Sequence, residues 1–99
     1  MRLRIHPTAL REIHKIADAY DRKAYRLGDG FTDQIEHAFS RLRELPMIGE
    51  EIARGERRLN LRRFPYKVIY RIHEEYVYVV ALAHHKRRDG YWRRRRIPW

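Results

Sequence analysis

The sequence predicts an α+β domain of order β-α-α-β-β-β, with a helical hairpin packed on one face of a mostly antiparallel four-stranded sheet. Three observations carry that expectation. Apolar residues recur at helical spacing from residue 7 to residue 45, the period drops to two after residue 56, and Tyr76 to Ala83 is almost wholly apolar, as a central strand is. With 99 residues the chain suits one modest core, so residues 1–99 are read as a single domain.

Arg2 to Ile5 alternates polar and apolar, which puts Leu3 and Ile5 on the inner side of a short strand. Pro7 suits the first turn of a helix, where its missing N–H costs nothing. Leu10, Ile13, Ile16, Ala17, Tyr20 and Ala24 then mark an amphipathic helix, which Gly28-Asp29-Gly30 is expected to break. A second helix is expected from Phe31, its stripe running through Ile35, Ala38, Phe39, Leu42 and Leu45 until Pro46 stops it. Residues 46–56, with Pro46, Gly49 and Gly55, read as a loop. Strands follow at Arg57 to Arg62, Tyr66 to Ile72 and Tyr76 to Ala83, with His73-Glu74-Glu75 as the turn between the last two. From His84 to Trp99 there is no period. In the basic tail at about 93–99, Arg93 to Arg96 is read as either flexible until a partner orders it or ordered, and Ile97-Pro98-Trp99 as either packing back on the domain or fraying.

Composition narrows the classes. Hydrophobic residues at 43% argue for a folded chain despite 36% charged residues. No apolar run is long enough to span a bilayer, and Met1-Arg2-Leu3-Arg4-Ile5 lacks the apolar core of a signal peptide. The absence of cysteine removes disulfides, thiolate ligands and thiol nucleophiles. A cytoplasmic protein without membrane contact is expected. The net charge of +10 is unevenly placed: residues 1–53 carry nine basic and nine acidic residues, residues 54–99 fourteen and four. The whole excess lies in the second half, which points to an anionic partner.

Alternation gives that charge a geometry. If Leu59 and Leu61 face the helices with Val68 and Tyr70, then Arg58, Asn60, Arg62, Lys67 and Arg71 share the opposite face. Lys86, Arg87 and Arg88 continue this row at the exit of the last strand, with Tyr91 and Trp92 beside them to stack on bases. An open, concave cationic surface is expected. His84 and His85 are adjacent, so in a strand they point to opposite faces and cannot share a metal ion. With the other histidines scattered, neither a metal nor a cofactor is expected, although His84 or His85 could move a proton near neutrality. No phosphate-binding glycine loop, nucleophile elbow or paired catalytic carboxylates are present.

Several segments together resemble the RelE/ParE toxins of bacterial type II toxin–antitoxin systems. They are Arg57 to Ile72, Val80 to Trp92, the Leu-x-Pro-x-x-Gly turn at Leu45, Pro46 and Gly49, and the helical hairpin before it. The resemblance covers nearly the whole chain and implies a growth-inhibiting protein held inactive by a cognate antitoxin. For RelE-like members it implies a ribosome-dependent mRNA endonuclease whose cations stabilise the phosphate during 2′-OH attack, with a C-terminal tyrosine nearby. The matching positions are Arg58, Asn60, Lys67, Lys86 and Trp92, where Asn60 stands for a lysine and Trp92 for the tyrosine. The catalytic set implied is therefore Arg58, Lys67, Lys86 and Tyr91, flanked by Arg62, Arg71, His84, His85, Arg87, Arg88 and Trp92 as target-binding residues.

ParE-like members lack that set and poison DNA gyrase, and Phe64-Pro65-Tyr66 with the Ala-His before the basic cluster resembles them. Under either reading an acidic or amphipathic antitoxin segment is expected across the helical hairpin or the basic face. The alternative is a non-toxic nucleic-acid-binding module or a degenerate toxin.

Overall fold

A computed structural model describes residues 1–99. It contains β1 (Arg2–Ile5), α1 (Pro7–Lys23), α2 (Leu27–Glu44), a 3₁₀ turn (Pro46–Ile48), β2 (Glu50–Ala53), β3 (Glu56–Asn60), β4 (Tyr66–His73), β5 (Tyr76–His84) and a last 3₁₀ turn (Tyr91–Arg94). The strands form one sheet in the order β1-β5-β4-β3-β2, with β1 parallel to β5 and every other pair antiparallel. The fold class is the α+β arrangement that the pattern predicts, but the sheet has five strands rather than four. The extra one, β2, lies in the segment expected to be loop. It is a four-residue edge strand, and its exposed Glu50 and Glu51 suit an edge that must not pair further.

The helical hairpin turns earlier than expected. The chain breaks at Ala24–Arg26, where Arg26 takes a left-handed φ of 58°. Gly28-Asp29-Gly30 lies inside the first turns of α2 rather than between the helices. Gly28 serves close approach: a Cβ there would collide with the Ala17 carbonyl oxygen and the Asp21 carboxylate. Its N–H donates to Asp21 Oδ1 at 2.8 Å, which locks the two helices at their closed end.

The helices bury their stripes, chiefly Ile13, Phe31, Ile35, Phe39 and Leu42, against Val68, Tyr70, Val77, Val79 and Leu82 of the sheet. Tyr20, Phe31 and Phe64 pack ring to ring, with centroids 4.9–5.5 Å apart. Buried Tyr70 donates its hydroxyl to the Pro46 carbonyl at 2.7 Å and accepts from the Gly49 N–H at 2.9 Å. The Leu-x-Pro-x-x-Gly turn is thereby tied to the sheet.

Between Ile69 and Tyr70 the register of β4 on β5 shifts, pairing Ile69 with Ala81 and Tyr70 with Val79. Val80 is the extra residue of this bulge, so Val80 and Ala81 both fall on the face away from the helices. That face therefore carries Ile69, Tyr78, Val80, Ala81 and Ala83, all buried. Such a surface cannot stay open. The C-terminal residues cover it: Trp92 is 1% exposed, with Tyr91 and Ile97 packed around the same cluster. This corrects one expectation: the second face is not an open cationic surface, because its centre is apolar. Of the two alternatives for Ile97-Pro98-Trp99, the structure has Ile97 and Trp99 packed back on the domain. Trp99 ends the segment stacked on His73, with ring centroids 4.2 Å apart.

Candidate functional site

Two carboxylates hold the C-terminal segment in place. Strand β1 ends opposite Val79, which leaves the backbone of β5 from Val80 to Leu82 without a neighbouring strand on that side. Side chains fill the gap. Glu12, reaching from α1, accepts the Leu82 N–H at 3.1 Å, and Arg95 donates to the Val80 carbonyl at 2.9 Å. The two side chains meet in a double hydrogen bond of 2.8 and 2.7 Å. Tyr91 adds its hydroxyl, donating to Glu12 Oε2 at 2.9 Å. Burial pushes the Glu12 carboxyl up, but hydrogen bonds from Arg95, Leu82 and Tyr91 overcome it and leave its pKa below the ordinary value. Burial, then the bond to Glu12, pushes Tyr91 up to about 12.

The second carboxylate is Glu56, at the start of β3 and 3% exposed. It accepts the Trp92 indole N–H at 2.9 Å and the Arg93 guanidinium at 2.9 and 3.3 Å, and Arg71 lies 3.9 Å away. Further along the sheet Lys67, 4% exposed and 5.9 Å from the Trp92 ring, donates to Asp89 at 2.7 Å. That hydrogen bond holds the Asp89 carboxyl below its ordinary range.

The expected site residues therefore divide. Lys67, Arg71, Tyr91 and Trp92 hold the molecule together: Arg71 reaches Glu56 and the Arg54 carbonyl, and Trp92 belongs to the core rather than to a base-stacking surface. Arg58 is half-buried and paired with Glu50 at 2.9 Å. Arg62, Lys86, Arg87 and Arg88 are exposed and belong to no ion pair. His84 packs edge-on to Tyr66, and its Nδ1 accepts the Lys86 N–H at 3.0 Å. Partial burial, followed by the fields of Lys67, His84 and Arg58, keeps His85 below the ordinary histidine value.

Sequence reasoning missed Glu12 and Glu56. Helical periodicity makes Glu12 one more solvent-face charge. Glu56 left a faint signal, as one of only four acids in a half with fourteen cations.

Beside the Glu12 cluster an open groove of about 340 Å³ runs between α1 and the exit of β5. Ile16, Ala19, Tyr66 and Leu82 form its apolar floor, with Lys15 and Arg87 at its rim. Arg87 lies 3.8 Å over the Tyr91 ring. A smaller adjoining pocket of about 190 Å³ continues past Tyr20 and Pro65 towards Lys23.

The family model of the ParE toxin of type II toxin–antitoxin systems, parDE, matches residues 3–89. The chain belongs to this family. In structure it is similar to a chain from the chromosomal ParDE toxin–antitoxin system of P. aeruginosa, with a TM-score of 0.69 at 18% identity. That likeness covers 85% of this chain and 95% of the other and supports the fold. A sequence comparison with curated proteins finds no match. The ParE match takes in Glu12, Glu56, Lys67 and the basic residues 86–88, but it ends before Tyr91, Trp92 and Arg95. Both carboxylate anchors thus lie in the part that matches the family, and the segment they hold lies beyond it. No helix of this ParE-family chain is long and apolar enough to cross a membrane.

Proposed function

We propose that this chain is the toxin of a ParDE-type pair, which arrests growth by binding DNA gyrase and is held inactive by a cognate antitoxin. One observation carries the choice of a binding protein over a nuclease: residues 91–99 close the sheet face where a RelE-like catalytic set would stand. On that face Lys67 is neutralised by Asp89. Tyr91 keeps its proton to about pH 12 and donates it to Glu12, so it is a structural donor rather than a proton shuttle. Arginine at position 58 stays charged at every physiological pH and cannot serve as a base.

The groove beside α1 supports a seat for the antitoxin. Its apolar floor and its rim of Lys15, Lys23 and Arg87 suit an amphipathic segment that presents aliphatic side chains between carboxylates. Rim charges of this kind act mainly on association rate, so the complex is expected to form more slowly as salt rises. Unchanged association between low and high salt would argue for an apolar contact alone.

A second reading, a ribosome-dependent mRNA endonuclease, has one observation in its favour. His85 is held toward its neutral form beside Lys67 and Arg58, which is the state a general base needs. The deciding experiment is paired. Purified protein is added to a gyrase supercoiling assay, and translated messages are mapped by primer extension after induction. Loss of supercoiling with intact messages is the expected result, whereas cleaved messages with unaffected gyrase would replace this reading with the second. Lys67→Ala and Lys86→Ala are expected to remain toxic.

A further inference from the structure

The turn β3–β4 and the exit of β5 lie side by side. The Leu61 N–H donates to the Tyr66 carbonyl at 2.9 Å, the His85 N–H donates to the Pro65 carbonyl at 2.9 Å, and Tyr66 pairs with His84. This places the loop that carries Arg62 and Arg63 beside the loop that carries Lys86, Arg87 and Arg88, with Arg62 towards α2 and Arg87 towards α1. All five are exposed, and none belongs to an ion pair. The one acid near them, Asp89, is already taken by Lys67. Elsewhere in the second half, four of the cations are committed, Arg58 to Glu50, Arg71 and Arg93 to Glu56, and Arg95 to Glu12, while Arg54, Arg57, Arg94 and Arg96 belong to no ion pair. The two adjacent loops therefore gather five exposed, unpaired cations at one end of the molecule.

We infer that this end is a binding surface for the phosphodiester backbone of nucleic acid, which adjoins the groove beside α1 at Arg87. Three features select phosphate over an acidic protein. Protein interfaces are anchored by large apolar or aromatic side chains in a desolvated centre. None of the large exposed apolar residues, namely Met1, Leu10, Tyr25, Leu45, Met47 and Trp99, lies in either loop. Four of the five cations are arginines, whose planar fork matches two phosphate oxygens at once. Arg87 and Arg63 are laid over the rings of Tyr91 and Phe64, at 3.8 and 5.6 Å. That stacking fixes the guanidinium planes and leaves their N–H edges free. With no side chain presented for reading base edges, the binding is sequence-independent. The inference stands whether or not gyrase is the target.

The test uses the full chain and two labelled probes of mixed sequence, a DNA duplex and a single-stranded RNA of equal length. Binding is followed by fluorescence anisotropy across a salt series. For duplex, the logarithm of the affinity is expected to fall with the logarithm of salt by roughly 0.9 per phosphate contacted. Arg62, Arg63, Lys86 and Arg88 do not touch the α1 groove, and changing all four to Gln is expected to flatten that slope by roughly 3 to 4. At low salt the same variant is expected to bind more than tenfold more weakly. A control that removes the same charge elsewhere, Arg2→Gln, Arg22→Gln, Arg43→Gln and Arg94→Gln, is expected to keep most of the slope. All eight side chains are exposed, so matched thermal unfolding verifies that both variants fold.

Binding of either probe with this contrast supports the surface, and the preferred probe identifies its natural source. Equal losses in the two variants would reduce the effect to net charge and overturn the inference. So would a quadruple variant that keeps both nucleic acids but loses an acidic peptide such as polyglutamate, since the partner would then be protein.

Discussion

On one face of the sheet two helices bury an aliphatic and aromatic stripe. On the other, a short C-terminal segment supplies Trp92, Tyr91 and Ile97 as cover and is fastened by Glu12 and Glu56. The helical face is closed by area, which salt does not screen and which is weakly sensitive to any single polar group. The second face is closed by a few apolar contacts and two hydrogen-bonded carboxylates, whose removal would leave buried partners unsatisfied. Two ways of covering one sheet should therefore fail differently.

The largest effects test whether both faces are core. Phe31→Ala and Trp92→Ala are each expected to cost about 3–5 kcal/mol in urea unfolding, the range for truncating a large buried aromatic ring. If Trp92→Ala costs little while Phe31→Ala costs much, the C-terminal segment is a removable cover and the comparison breaks. Next comes Glu12→Gln, which unpairs Arg95 and weakens the bonds to Leu82 and Tyr91. A loss of roughly 1–3 kcal/mol is expected at neutral pH.

Acidity sharpens the contrast. The Glu12 pKa in the folded protein lies below its ordinary 4.5, so its contribution is present above pH 4.5 and is lost as the pH falls through the lower folded value. Wild type and Glu12→Gln should therefore converge in stability on acidification, whereas Phe31→Ala should keep its deficit at every pH. Tyr91 gives the alkaline counterpart. Its folded pKa of about 12 lies above the ordinary 10, so the associated stability is present below pH 10 and is lost as the pH rises through about 12. Burial also raises Tyr20, Tyr66, Tyr70 and Tyr78, so a phenolate absorbance titration should show several late-ionising tyrosines, and Glu12→Gln should bring only the Tyr91 component earlier. The smallest effect belongs to Arg94, which is exposed and unpaired: Arg94→Gln is expected to change stability by less than about 0.5 kcal/mol.

How much of this was legible depended on whether a residue's role follows from its neighbours in sequence. The helices and the three long strands announce themselves, because burial on one side imposes a period. β2 does not, since four residues at an edge carry too little alternation to read. Gly28 read as a breaker because glycine usually is one, and only the neighbouring helix reveals that it is there to let two backbones approach. Alternation alone also put Lys67 and Arg71 on an open face. It could not foresee the bulge at Val80, which adds apolar residues to that face, nor the returning segment that covers them. For the candidate site, the exposed cluster at residues 86–88 was visible as charge, and Arg62 joined it through loop proximity. Glu12 and Glu56 were illegible because their partners lie 83 and 37 residues away, beyond the reach of any local pattern.

Strand β1 and the C-terminal segment both close on β5, one along its first half and the other along its second. The contacts that complete the sheet therefore join the first residues of the chain to the last ones, and loops this long close slowly. On the ribosome, the Glu12–Arg95 pair cannot form until residue 95 has left the exit tunnel. Under the proposed function, the toxin cannot reach its closed shape until residue 95 is free to fold back on α1. A partner made beforehand would have that interval in which to meet it.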